Sequence, residues 1–64
     1  MLAEERLNRI VAVVDERGTV TSAELMELLN ASESTVRRDL TRLAQEGRIV
    51  KVHGGAASAG ATAA

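Results

Sequence analysis

The sequence predicts a mainly α-helical domain of three helices with a small β wing, on three observations. Apolar residues recur at helical spacing in three separate stretches. Only Asn30, Ala31 and Ser32 separate the second stretch from the third, and a β-branched run follows the third and ends in Val52-His53-Gly54-Gly55. A chain of 64 residues has material for one core and not two.

The first helix is expected from about Ala3 to Glu16, because Leu7, Ile10, Val11 and Val14 follow the i, i+3, i+4, i+7 rule and share one stripe. Gly18 ends it. Thr19-Val20-Thr21 is β-branched throughout and too short for a helix, so it reads as a brief strand or extended link. Thr21 and Glu24 stand three apart before an apolar pattern, the spacing of a capping box in which each side chain satisfies a free backbone N–H of the other. A second helix then runs from about Ser22 to Leu29, burying Leu25, Leu28 and Leu29. Asn30 leaves it in a left-handed conformation, which Asn tolerates better than other non-glycine residues.

Ser32 caps a third helix, roughly Glu33 to Glu46, that buries Val36, Leu40 and Leu43 and stops at Gly47. So short a link forces the two helices to cross steeply, which makes them a helix-turn-helix. Arg48 to Val52 is a strand candidate with Ile49 packed on the end of the third helix, Val50 and Val52 facing the core, and Lys51 and His53 facing outward. Gly54 and Gly55 make a turn, and Ala56 and Ala57 return as a short second strand, which completes a three-helix winged helix-turn-helix over residues 1–57. From Ser58 the chain holds only Ala, Gly, Thr and Ser, so residues 58–64 are expected to be a disordered tail or the start of a linker.

Composition narrows the function. Cysteine is absent, which fits a reducing cytoplasm. The longest apolar run, Ile10 to Val14, falls far short of the roughly 20 residues of a membrane span. Glu4, Glu5, Arg6 and Arg9 interrupt the place where a signal peptide would be apolar. A cytoplasmic domain without membrane contact is expected. Without cysteine and with a single histidine there is no metal cluster, and no nucleophile–base pair supports an enzyme, so neither catalysis nor a cofactor is expected.

The net charge of −1 hides a polarity. Residues 1–31 carry three arginines against six acids, whereas residues 32–64 carry five basic residues against three acids. On a helical wheel of the third helix, Ser34, Arg38, Thr41 and Gln45 lie opposite the apolar stripe, with Arg37 and Arg42 on its flanks. That face is polar and basic, and a helix fits the major groove of double-stranded DNA, where Arg forks onto guanine and Ser or Thr meets base edges. Arg37 and Arg38 point about 100° apart, so they cannot address one base pair. Arg38 is assigned to base edges and Arg37 to a flanking phosphate, although Arg37 also has Glu33 as a helical ion-pair partner. Asp39, near the apolar border, is read as a positioning group paired with an arginine. Thr21, Ser22, Ser32 and Thr35 cluster at the starts of the second and third helices, where free N–H groups attract phosphate. Lys51, His53, Gly54 and Gly55 complete the expected contact set from the wing.

The run Ser32-Glu33-Ser34-Thr35-Val36-Arg37-Arg38-Asp39-Leu40, followed by Leu43, Gly47 and Val52-His53-Gly54-Gly55-Ala56, resembles the DeoR family of bacterial transcriptional regulators. The resemblance implies a winged helix-turn-helix whose third helix reads an operator. It also implies repression of sugar or carbohydrate genes, a homo-oligomeric full-length protein, a sugar-phosphate effector bound by a further domain, and a monomeric reading head when isolated.

Two other classes are weaker. A winged helix that only binds proteins should show aromatic or large apolar anchors on the third helix, and this chain has no aromatic residue. The same lack removes the stacking platforms that single-stranded nucleic acid needs.

Overall fold

A computed structural model describes residues 2–62 of the chain. Helix α1 spans Ala3–Arg17, strand β1 Thr19–Thr21, α2 Ser22–Leu29, α3 Glu33–Gln45, β2 Ile49–Val52, β3 Gly55–Ser58 and the short α4 Ala59–Thr62. The fold is a winged helix-turn-helix: the three helices α1, α2 and α3 and a small antiparallel sheet of order β1-β3-β2, followed by the single turn of α4.

Local signals set the boundaries. Gly18 leaves α1 at φ +84°, a conformation open to glycine, and its N–H bonds the Val14 carbonyl. The capping box at α2 is complete: Glu24 N–H donates to the Thr21 hydroxyl at 3.1 Å, and the Glu24 carboxylate accepts from Thr21 N–H at 3.1 Å. Asn30 takes the left-handed conformation at φ 51°, turning the chain so that Ser32 can cap α3 by accepting from Thr35 N–H at 3.3 Å.

The core gathers Leu7, Ile10 and Val14 from α1, Val20 from β1, Leu25 from α2, Val36, Leu40 and Leu43 from α3, and Ile49 and Ala56 from the hairpin. Its non-directional cohesion is supplemented by polar ties from α1 to distant parts of the chain. Arg6 bonds Asp39 on α3, Arg48 donates to Asn8 at 2.8 Å, and the Ser58 hydroxyl donates to Asp15 at 3.1 Å. No helix among the described residues is long and apolar enough to cross a membrane.

Four expectations change. Leu28 is 40 % exposed, because the buried face of α2 is narrower than its three leucines suggest; Leu25 alone is fully buried, and Leu29 is half-buried. Val11 is likewise half-buried on the edge of the α1 stripe. Val52 is also 40 % exposed instead of facing the core. Residues 51–54 are all exposed, since the hairpin tip projects past the helices and alternation buries a side chain only where a core lies beneath it.

The fourth change is the boundary at residue 57. Ser58 belongs to β3, opposite Ile49, and its N–H donates to the Gly18 carbonyl at 2.8 Å. Residues 59–62 continue as α4, and the rest of the expected tail, residues 63–64, lies outside the described residues.

Candidate nucleic-acid interface

The apolar stripe of α3 points its opposite face outward. Ser34, Arg37, Arg38, Thr41 and Arg42 are all exposed, whereas Val36, Leu40 and Leu43 are buried. The arginines are held differently. Arg37 pairs with Glu33 at 3.2 Å, and Arg42 pairs with Glu46 at 3.3 Å while also approaching Glu4 of α1 at 3.8 Å. Arg38 has no hydrogen bond or ion pair among the described residues, and none of its neighbours three or four positions away is acidic. Its guanidinium is free for an incoming acceptor.

Asp39 is turned inward and only 5 % exposed. It receives a two-pronged contact from Arg6, Nε to one carboxylate oxygen and a terminal nitrogen to the other at 3.1 Å. The hydrogen bond to Asp39, ahead of their charge attraction, raises the Arg6 pKa against the opposing effect of burial. Asp39 thus pairs with an arginine and stays off the outer face, as its place on the wheel suggested. Local sequence could not name that arginine, because Arg6 lies 33 positions away on another helix.

On the other flank of α3 a cleft of about 240 Å³ opens toward the start of α2 and the hairpin, lined by Ser22, Glu33, Arg37, Lys51 and Gly54 among others. Lys51 Nζ reaches the Thr41 hydroxyl at 3.2 Å, and that hydroxyl in turn donates to the Arg37 carbonyl at 3.0 Å. The wing is joined to α2 as well, since Ser22 N–H donates to the Gly54 carbonyl at 2.8 Å. Arg37, Thr41, Lys51, Ser22 and Gly54 are therefore brought together, and His53 stands exposed at the hairpin tip beside Gly54.

Other expected contact residues are occupied in the fold. The Thr21 hydroxyl both accepts from Glu24 N–H and donates to the Glu24 carboxylate at 3.0 Å. That places a carboxylate at the start of α2, where a phosphate would be repelled. The Thr21 N–H first, and then its hydroxyl, hold the Glu24 carboxyl below the usual carboxylate range. Ser32 and Thr35 share a hydroxyl bond at 3.0 Å within the α3 cap, with the Ser34 hydroxyl 3.3 Å from that of Ser32.

Gly55 is a correction: it was expected on the contact surface with His53 and Gly54, and it is buried in β3 opposite Thr21 and Val52. A Cβ there would stand 2.1 Å from the Val20 carbonyl oxygen and 2.8 Å from Thr21 Cα. Glycine is required for β1 and β3 to approach, which is a packing reason.

Comparison with known proteins places this arrangement. The DeoR-like helix-turn-helix domain model matches residues 6–62. The chain is 47 % identical over 58 residues to the lactose phosphotransferase system repressor of Staphylococcus aureus (strain NCTC 8325 / PS 47), covering 91 % of this chain and 23 % of that protein. It is 48 % identical over 54 residues to the repressor of the same name from Staphylococcus epidermidis (strain ATCC 12228 / FDA PCI 1200), covering 84 % of this chain and 22 % of the relative. The corresponding repressor of Streptococcus mutans serotype c (strain ATCC 700610 / UA159) matches at 47 % over 58 residues, 91 % of this chain and 23 % of its own. The chain thus spans less than a quarter of the length of these relatives. No solved structure matches it. The match runs through α1, the helix-turn-helix and the wing, and the chain belongs to the DeoR-like helix-turn-helix family.

Proposed function

We propose that this domain binds double-stranded DNA sequence-specifically, as the operator-reading part of a transcriptional repressor of carbohydrate-metabolism genes. The observation that carries the reading is the outer face of α3, exposed along its length and centred on an arginine with no partner among the described residues. The names of the relatives, lactose phosphotransferase system repressors, support the regulatory role. In the larger protein the reading extends to a homo-oligomer governed by a sugar-phosphate effector in the cytoplasm, as the family resemblance implies.

In this reading α3 enters the major groove and Arg38 donates to a guanine edge, with Ser34 beside it. Arg37 exchanges Glu33 for a phosphate at small cost, because an exposed helical ion pair is worth only about 0.2–0.5 kcal/mol. Lys51, His53 and the Gly54 backbone meet the DNA backbone from the wing, and Ser22 adds a contact at the start of α2. The Thr21 and Ser32 hydroxyls act first as caps, and the Thr35 hydroxyl accepts from that of Ser32.

The test compares Arg38→Ala with Lys51→Ala on a duplex selected by the wild-type chain and on random duplex, each at two salt concentrations. Arg38→Ala should cost about 1–3 kcal/mol on the selected duplex and relax preference at one position, while Lys51→Ala should weaken both duplexes alike and lower the salt slope by about one. Equal losses on both duplexes for Arg38→Ala would make Arg38 a backbone contact. Binding by the wild-type chain that ignores salt would sink the DNA-binding reading.

A further inference from the structure

We propose that Arg6, on α1 and away from the outer face of α3, is a positioning residue for base reading: its fork on Asp39 sets the rotation of α3 and keeps the Asp39 carboxylate off that face. The proposal rests on the reading that α3 enters DNA.

The apolar stripe of α3 resists separation from the core, but such contact is non-directional and tolerates small rotations and slides. A base contact does not tolerate them. At about 6 Å from the helix axis, a turn of about 10° moves a side-chain atom by about 1 Å, and recognition geometry is lost beyond about 0.5 Å. The two-pronged contact between Arg6 and Asp39 supplies direction, because both carboxylate oxygens are engaged by one planar group. It grips α3 at the residue next to Arg38, and Asp39 is nearly buried, so water competes weakly for the carboxylate.

The contact also controls charge. Asp39 follows Arg38 directly and stands three positions before Arg42. A carboxylate released from Arg6 comes within helical reach of Arg42, which already pairs with Glu46 at 3.3 Å. Held by Arg6, Asp39 stays nearly buried and adds no negative charge beside the outer face.

The test uses the full 64-residue chain and two probes, a duplex recovered by selection with the wild-type chain and a scrambled duplex of equal length. Arg6→Met, Asp39→Asn and Arg6→Lys are compared by the ratio of affinities for the two duplexes and by the dependence of each affinity on salt. A partly unfolded variant loses the same factor on both duplexes, so the ratio is blind to a plain folding defect. The ratio is expected to fall about tenfold in Arg6→Met and Asp39→Asn, with the salt slope unchanged because the phosphate contacts remain. Arg6→Lys keeps the charge and loses the planar fork, so its ratio should lie between those of the wild type and Arg6→Met. An unchanged ratio in Arg6→Met overturns the positioning role. A wild-type chain that prefers no selected duplex overturns DNA reading itself, which separates the two failures.

Discussion

The two flanks of α3 are held by different kinds of interaction. On the α1 side, Asp39 is nearly buried and bound to a residue 33 positions away. On the wing side, Arg37 pairs with Glu33 one turn earlier, both about two-thirds exposed, and Thr41 joins Arg37 and Lys51 through single hydroxyl bonds at the surface. The first kind of contact is expensive to break, since it leaves a charge in a poorly hydrated place. The second is cheap, since water can replace either partner and a phosphate can take the place of Glu33. A reading head needs both: a seam that does not yield, and side chains that change partners when DNA arrives.

The largest effect is expected at a second tight contact of the scaffold, the seam where β1 and β3 meet. Gly55→Ala drives a Cβ into the Val20 carbonyl and Thr21 Cα, which cannot be relieved by rotating a side chain. It should cost about 3 kcal/mol in urea unfolding. A loss below about 1 kcal/mol would mean that β1 and β3 separate easily, and the seam would then be no firmer than the outer surface.

Thr21→Ala sharpens the other half of the comparison, since it removes a local and exposed device. It should cost about 1 kcal/mol, less than the strand seam. The box also predicts a pH signature. The Glu24 carboxyl is held below its usual value near 4.5, so its contribution is fully present above that pH and is lost as pH falls through the lower folded value. Glu24→Gln, which still accepts from Thr21 N–H, should flatten that acid limb of the urea midpoint. An acid limb of unchanged steepness would show that other carboxylates carry it.

The smallest effect is expected at the wing-side flank of α3. Glu33→Gln should change folding stability by no more than about 0.5 kcal/mol, while releasing Arg37 and slightly strengthening binding to all duplexes. A stability loss above about 1 kcal/mol would mean that this exposed pair belongs to the scaffold after all.

Much of the fold is legible in the sequence because its punctuation is local. The Thr21–Glu24 box, the left-handed Asn30, the Ser32 cap and the glycine at position 18 each act within a few residues of themselves, and each is found where the sequence indicates. The outward placement of Ser34, Arg38 and Thr41 follows from the stripe of Val36, Leu40 and Leu43, which is again local periodicity. What was not legible depends on the third dimension. Nothing near Asp39 names Arg6, and nothing near Gly55 reveals that the Val20 backbone passes against it. Val52 obeys strand alternation on paper, but the hairpin outruns the core before reaching it. Ser58 looks like linker by composition, and it is a strand residue because Ile49 and the Gly18 carbonyl meet it.

The order of the sheet bears on how the domain is made. β3 comes last of the three strands along the chain and lies in the middle of the sheet, so β1 and β2 are joined only through it. During vectorial synthesis, at about 5–20 residues per second, β1, α2, α3 and β2 leave the ribosome before any strand has its partner. A helix has its hydrogen-bond partners within its own segment, whereas the first two strands have theirs only in β3. Emergence of residues 55–58 pairs both at once and draws the Gly54 carbonyl onto the start of α2. A chain exposed only as far as Val52 therefore carries the residues of both helices of the helix-turn-helix but no wing, and its two strands have open edges at which a neighbour could pair.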